Sequence, residues 1–142
     1  EGLIGPWFTD VRLFQRLMDE LLSNAFRFAH PDRPLKLKVS LERKQETYHF
    51  VIADNGIGIP SEGQNHLFDL FRPLRSRGEY PIQGLGCGLA FARRIAERLG
   101  GSIFHQKGKK MGAAFEIRLP FQIAPPSNFL PEKFLYPASS DR

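Results

Sequence analysis

Cysteine is almost missing from this sequence. One thiol, Cys87, stands among 142 residues, so no disulfide can close within the chain and no cysteine cluster can hold a metal. Long apolar runs are missing too: no stretch approaches the roughly 18 residues of a membrane-spanning helix. The first residues lack the basic, apolar and small-residue succession of a secretory signal. There is no internal repeat and no low-complexity tract. The four histidines, His30, His49, His66 and His105, fall in unrelated stretches without the spacing of zinc ligands. These absences predict a soluble, cytoplasmic segment in a reducing compartment, itself without direct membrane contact, either free or as the cytoplasmic part of a membrane-bound receptor.

What is present is the composition of an ordinary globular domain, 42% hydrophobic and 25% charged. The net charge of +5 suits a nucleic acid, an anionic membrane or a phosphorylated ligand. The basic residues are scattered through Arg12, Arg16, Lys36, Lys38, Arg43 and Lys44 and form no basic helix interleaved with aromatics, which argues against nucleic acid.

Apolar residues at Leu13, Leu17 and Leu21, and at Phe14, Met18, Leu22 and Ala25, predict a long amphipathic helix from Asp10 to Phe28. Thr9 or Asp10 caps its start and His30-Pro31 ends it. Leu35 to Leu41 and Tyr48 to Ala53 read as strands joined by the polar turn Glu42 to Glu46. His66 to Phe71 suits a short helix, and Arg72 to Gly84 has no periodicity. Leu89, Ala92, Ile95, Ala96 and Leu99 mark a second helix ended by Gly100-Gly101, with Arg93, Arg94, Glu97 and Arg98 outward. Ser102 to His105 and Ala114 to Leu119 are two further strands around the turn Lys107 to Gly112. Helix, two strands, helix, two strands implies a sheet covered by helices on one face. Residues 121–142, with Pro125, Pro126, Pro131 and Pro137, read as a poorly ordered tail after a domain of residues 1–120.

Three constellations stand out. Glu20, Asn24, Arg27 and Phe28 share one stripe of the first helix, and there supply a carboxylate, an amide oxygen, a guanidinium and a ring; a solvated helix edge explains the same pattern. Asp54-Asn55-Gly56-Ile57-Gly58-Ile59-Pro60 follows a buried-looking strand, which suits an acceptor held rigidly beside close-approaching backbone, or an ordinary turn. Gly84-Leu85-Gly86-Cys87-Gly88-Leu89 opens the second helix, where free amides attract phosphate oxygens, although tight connections use glycine as well. The run lacks the Lys-Ser/Thr pair of a P-loop.

The three occur in order over about 70 residues, and together they resemble the ATP-binding catalytic domain of sensor histidine kinases, in the superfamily that also holds DNA gyrase, the ninety-kilodalton heat-shock chaperone and a mismatch-repair protein. The resemblance covers about residues 9 to 120. It implies an α+β two-layer sandwich of the Bergerat type, with a mixed β-sheet covered on one face by helices. It makes ATP and Mg²⁺ the cofactors. Asp19 to Phe28 looks like the family's asparagine box, with Asn24 as the Mg²⁺ ligand, Arg27 as a phosphate contact and Phe28 beside the nucleotide. Glu20 replaces the Asn or His common in sensor kinases and is similar to the gyrase branch, some sensor kinases and the mitochondrial dehydrogenase kinases, where a Glu can polarise a nucleophile. Glu20 and Asn24 are thus the expected catalytic residues.

By the same resemblance Asp54 accepts the adenine amino group, with Gly56, Gly58 and Ile59 beside it. Phe68 and Phe71 look like the phenylalanine box, Arg75 and Arg77 belong to a lid reaching the γ-phosphate, and Gly84, Leu85, Gly86, Cys87, Gly88 and Leu89 form the phosphate-contacting hinge. Gly112-Ala113-Ala114-Phe115 lacks the hydroxyl that relatives often carry there. The implied function is to bind Mg·ATP and donate its γ-phosphoryl to a histidine on a separate dimerisation and histidine-phosphotransfer domain, with a response regulator downstream. The acceptor-bearing dimerisation helix is not in the sequence, so the chain is expected to be a fragment, inactive toward histidine by itself. Other functions of the same superfamily are a regulatory ATP-binding module without kinase activity, an ATPase and a serine kinase.

Overall fold

The computed structural model describes residues 7–70, 87–106 and 111–121. The first helix, α1 (Val11–Arg27), begins where Asp10 accepts the Leu13 amide through its side chain at 3.0 Å, a capping bond that satisfies one of the unpaired amides of the first turn. It turns Leu17, Leu21 and Ala25 fully inward.

Two strands follow, β1 (Leu37–Lys44) and β2 (Thr47–Asp54), paired antiparallel from Leu37↔Asp54 to Lys44↔Thr47. Their connection is tighter than the expected five-residue turn. Only Gln45 and Glu46 lie outside the ladder, with Gln45 at φ 51, and Thr47 donates its hydroxyl to the Lys44 carbonyl. Glu42 to Lys44 join the strand because β1 is an edge exposed along its whole length, where charged side chains stay in water at no cost.

A 3-10 helix, Ser61–His66, sits one turn earlier than the expected His66 to Phe71 segment; it starts directly after Pro60, whose fixed φ suits a helical entry, and residue 71 lies outside the described residues. Helix α2 (Gly88–Arg98) then crosses to β3 (Ser102–His105), and β4 (Ala114–Pro120) returns between β3 and β2. Gly100, at φ 80, donates its amide to Glu97 O, and Gly101 to Ala96 O, the paired bonds of a Schellman stop.

The strand order is β1-β2-β4-β3. The fold class is the expected two-layer one, but every strand pair among the described residues is antiparallel, not mixed. The crossover through α2 places β3 one strand away from β2, and β4 fills the gap running the opposite way, so no parallel neighbours meet. Along β2 every second residue is buried, and Tyr48, Phe50 and Ile52 face the helices together with Ile117 and Leu119 of β4. Helix α2 offers only Ala90, Ala92 and Ala96 as fully buried side chains, and these small groups let α1 and α2 approach closely over the sheet.

Two aromatics outside the expected helices and strands extend the core. Trp7 packs on Phe14, Tyr48 and Phe50 and donates its indole N–H to Pro120 O at 3.1 Å. Phe121, assigned to the tail from sequence, donates its amide to Glu46 O and stacks under the Arg43 guanidinium 3.6 Å from its ring centre. The rest of the expected tail lies outside the described residues.

Candidate functional site

The carboxyl end of β2 delivers Asp54 to the inner face of the sheet, where it is 8% exposed. A carboxylate buried there needs donors, and two backbone amides converge on Oδ1, from Gly56 at 2.8 Å and Ala113 at 3.1 Å. The Asp54 amide in turn donates to Ala113 O at 2.9 Å, which fixes the residue from both sides. Next to it opens a cleft of about 350 Å³, part of it in open solvent, lined by Asn24, Phe28, Asp54, Gly58, Ile59 and Leu89, and by Ala113 and Phe115.

The opposite wall is the last part of α1. Asn24 is 7% exposed, yet its side-chain amide makes no hydrogen bond among the described residues. The Asn24 side chain lines the cleft. One turn back, Glu20 has one oxygen, Oε1, held by Arg16 Nη2 at 2.9 Å. The other, Oε2, faces Gly88 at the start of α2: a Cβ there would stand 3.1 Å from it and 3.6 Å from Asn24 Oδ1. The first residue of α2, the carboxylate and the amide thus meet at one point.

Several residues expected from sequence are brought together here: Glu20, Asn24, Phe28, Asp54, Gly58, Ile59, Gly88 and Leu89. Others fall differently. Arg27 is exposed on the last turn of α1 and does not line the cleft. Gly56 is needed for packing: a Cβ on it would overlap the Phe28 carbonyl oxygen. Cys87 stands at the N-cap of α2, half-buried, and accepts the Phe91 amide. Phe68 packs edge-on against Phe115, their centres 6.4 Å apart. Phe71, Arg75, Arg77, Gly84, Leu85 and Gly86 lie outside the described residues.

Four contributors were not among the site residues expected from sequence. Phe115 and Ala113 enter the cleft from β4 and its approach, and the inward alternation of that strand was the available signal. Arg33 grips the loop behind Asp54 from 22 and 23 residues away, and nothing local announces it. Arg16 stood in the sequence only as one of several scattered basic residues.

This fold and cleft define a class, the two-layer ATP-binding domains of Bergerat type. Residues 9–123 match the family model described as histidine kinase-, DNA gyrase B-, and HSP90-like ATPase. Sensor protein RstB of Escherichia coli (strain K12) is 32% identical over 111 residues, 78% of this chain and 25% of that protein. Sensor protein KdpD of the same organism is 34% identical over 116 residues, 82% of this chain and 12% of that protein. The solved structure of the mycobacterial sensor histidine kinase MprB superposes with a TM-score of 0.69 at 27% identity, covering 82% of this chain and 79% of that one. The chain belongs to this ATPase family, and these relatives group it with the ATP-binding catalytic domains of sensor histidine kinases. It spans a quarter or less of the curated relatives just named. Among the described residues no helix is long and apolar enough to cross a membrane.

Proposed function

We propose that the chain binds Mg·ATP in the cleft between α1, β2 and α2 and presents the γ-phosphoryl group to a histidine carried on a separate dimerisation domain, with a response regulator as the later acceptor. The observation that carries this reading is the pairing of Asp54, its carboxylate fixed by two backbone amides, with Asn24, a buried amide open to the same cleft. Asp54 would accept the adenine amino group, and Phe28 and Ile59 would flank the ring. Asn24 Oδ1 suits the hard cation, which takes oxygen ligands and keeps several waters. Mg²⁺, when bound, would neutralise phosphate charge as transfer proceeds.

This chain's own residues then position. The start of α2 at Gly88 has no Cβ to obstruct an approach to its amide end, and Glu20 Oε2 sits beside it. Phosphoryl transfer depends mainly on alignment and charge compensation, so a domain that only holds ATP correctly completes its part of the reaction.

Titrating a fluorescent ATP analogue against the wild-type chain and Asp54→Asn tests the base assignment, because Asn keeps an acceptor oxygen for the Gly56 and Ala113 amides while losing the charge. Affinity is expected to fall by at least about ten-fold, or about 1.4 kcal/mol; equal affinity would refute the role of Asp54. Asn24→Ala is expected to abolish the Mg²⁺ dependence of binding.

Glu20 supports a second reading, hydrolysis, since a carboxylate placed with Asn24 at the start of α2 can polarise water as well as an imidazole. Labelled ATP with and without a histidine-bearing dimerisation domain separates the two: acid-labile, alkali-stable label on that domain supports transfer to histidine, and free phosphate alone supports hydrolysis.

A further inference from the structure

Arg33 lies outside the cleft, yet it reaches the two peptide groups that hold the cleft walls. Its Nε donates to Asn55 O and its Nη2 to Gly56 O, both at 2.9 Å. Asn55 O and the Gly56 N–H are the two ends of one peptide unit, and that N–H donates to Asp54 Oδ1 at 2.8 Å. Gly56 O and the Ile57 N–H are the two ends of the next unit, and that N–H donates to Phe28 O at 2.9 Å. One guanidinium fork therefore grips two consecutive peptides, one holding Asp54 and the other holding the C-cap of α1.

The loop is closed on its far side as well. Asn55 Oδ1 accepts the Lys36 amide at 2.7 Å, and Asn55 Nδ2 donates to Pro34 O at 3.0 Å. Residues 33–36 and 54–57 form a clasp in which no bond requires a long flexible reach except that of Arg33 itself. Hydrogen bonds in series through a peptide group polarise one another, so a cation on the carbonyl end strengthens the amide that meets the carboxylate.

The geometry points to Arg33 as a positioning residue: through the 55–56 and 56–57 peptides it sets the direction of the Asp54 carboxylate and its separation from Phe28, and so governs the adenine end of the site while leaving the phosphate end alone. The inference rests on the reading of Asp54 as the base-binding residue. The planar fork is essential to it, because a lysine ammonium is a point donor that cannot serve both carbonyls with the same geometry.

The test compares adenosine, ATP and inorganic triphosphate as competitors of a fluorescent ATP analogue, on the wild-type chain, Arg33→Ala, Arg33→Lys and Asp54→Asn. Arg33→Ala is expected to weaken adenosine and ATP by about ten-fold, or about 1.4 kcal/mol, with triphosphate unchanged. Arg33→Lys is expected to stay close to Arg33→Ala. Wild-type affinity in Arg33→Ala together with weakened Asp54→Asn would overturn the inference and leave the Asp54 reading standing. Equal weakening of adenosine and triphosphate would also overturn it, because a general loosening of the fold moves both. Unchanged binding in Asp54→Asn would remove the base-site reading, and the inference with it. If Arg33→Ala does not fold, Arg33→Lys carries the same comparison, and wild-type adenosine affinity there is the overturning result.

Discussion

Gly112 lies directly against Asp54: a Cβ built on it would overlap the Asp54 carbonyl oxygen and stand 2.7 Å from Oδ1. Its φ of 69 is in the left-handed region, and the Ala113 amide that follows is one of the two that hold the Asp54 carboxylate. The approach of β4 to β2 and the orientation of Asp54 therefore depend on one missing side chain.

Gly112→Ala is expected to be among the most damaging single substitutions. Left-handed strain alone costs about 1–3 kcal/mol, and relieving the overlap means pushing β4 away from β2. Urea denaturation checks the stability and nucleotide titration checks the site. A fall of under about 0.5 kcal/mol would show that the contact relaxes freely.

Asn24→Ala is expected to act in the opposite sense on stability. Asn24 is buried in α1 with no side-chain hydrogen bond among the described residues, and alanine is the better helix former. The chain without nucleotide should gain about 0.5–1 kcal/mol in denaturant melts while losing Mg²⁺-dependent binding. A clear loss of stability would mean that the amide is a structural element rather than a ligand held ready.

The Arg16–Glu20 pair separates function from stability differently. Arg16 is 66% exposed, so the ion pair contributes at most about 1 kcal/mol and Arg16→Ala should melt close to wild type. With the dimerisation domain present, Glu20→Gln is expected to lower turnover by about a hundred-fold, with ATP affinity changed little. Arg16→Ala should produce a smaller drop that disappears in the Glu20→Gln background, because it acts only by holding Oε1. Additive losses in the double variant would show that Arg16 acts independently.

Legibility followed the distance over which each feature is encoded. The two α-helices, the strands and the position of Asp54 were readable because periodicity and turn chemistry act within a few residues. The cap on Asp10 and the Gly100-Gly101 stop were readable for the same reason. The Gln45-Glu46 turn was obscured because Glu42 to Lys44 look like loop residues until an exposed edge strand is known to carry them. Trp7, Phe121 and Arg33 depend on partners 113, 75 and 22 residues away, respectively Pro120, Glu46 and Asn55, and no local pattern marks such pairs. The antiparallel order of the sheet was hidden likewise, since it depends on where β4 inserts.

On the sheet face away from the helices, Glu116 provides a pH test independent of nucleotide. Its Oε1 accepts from Arg118 Nε and His49 Nδ1, each at 2.8 Å, and its Oε2 from Gln106 Nε2 at 3.3 Å. The Arg118 hydrogen bond is the main reason its pKa falls from 4.5 to about 2, with burial opposing and the His49 and Gln106 contacts assisting. A carboxyl whose folded pKa is depressed stabilises the fold fully above its unfolded value and loses that contribution as pH falls toward the folded one. The window is therefore from about pH 4.5 down to about 2. With Arg118 half-exposed and screened by solvent, the contribution is about 1–2 kcal/mol. Glu116→Gln preserves the shape and removes the charge, so the difference in urea stability between wild type and variant should be greatest above pH 4.5 and vanish near pH 2. Added salt should shrink that difference, because Arg118 faces water. A difference that persists unchanged at pH 2 would assign the effect to packing of the side chain instead of its charge.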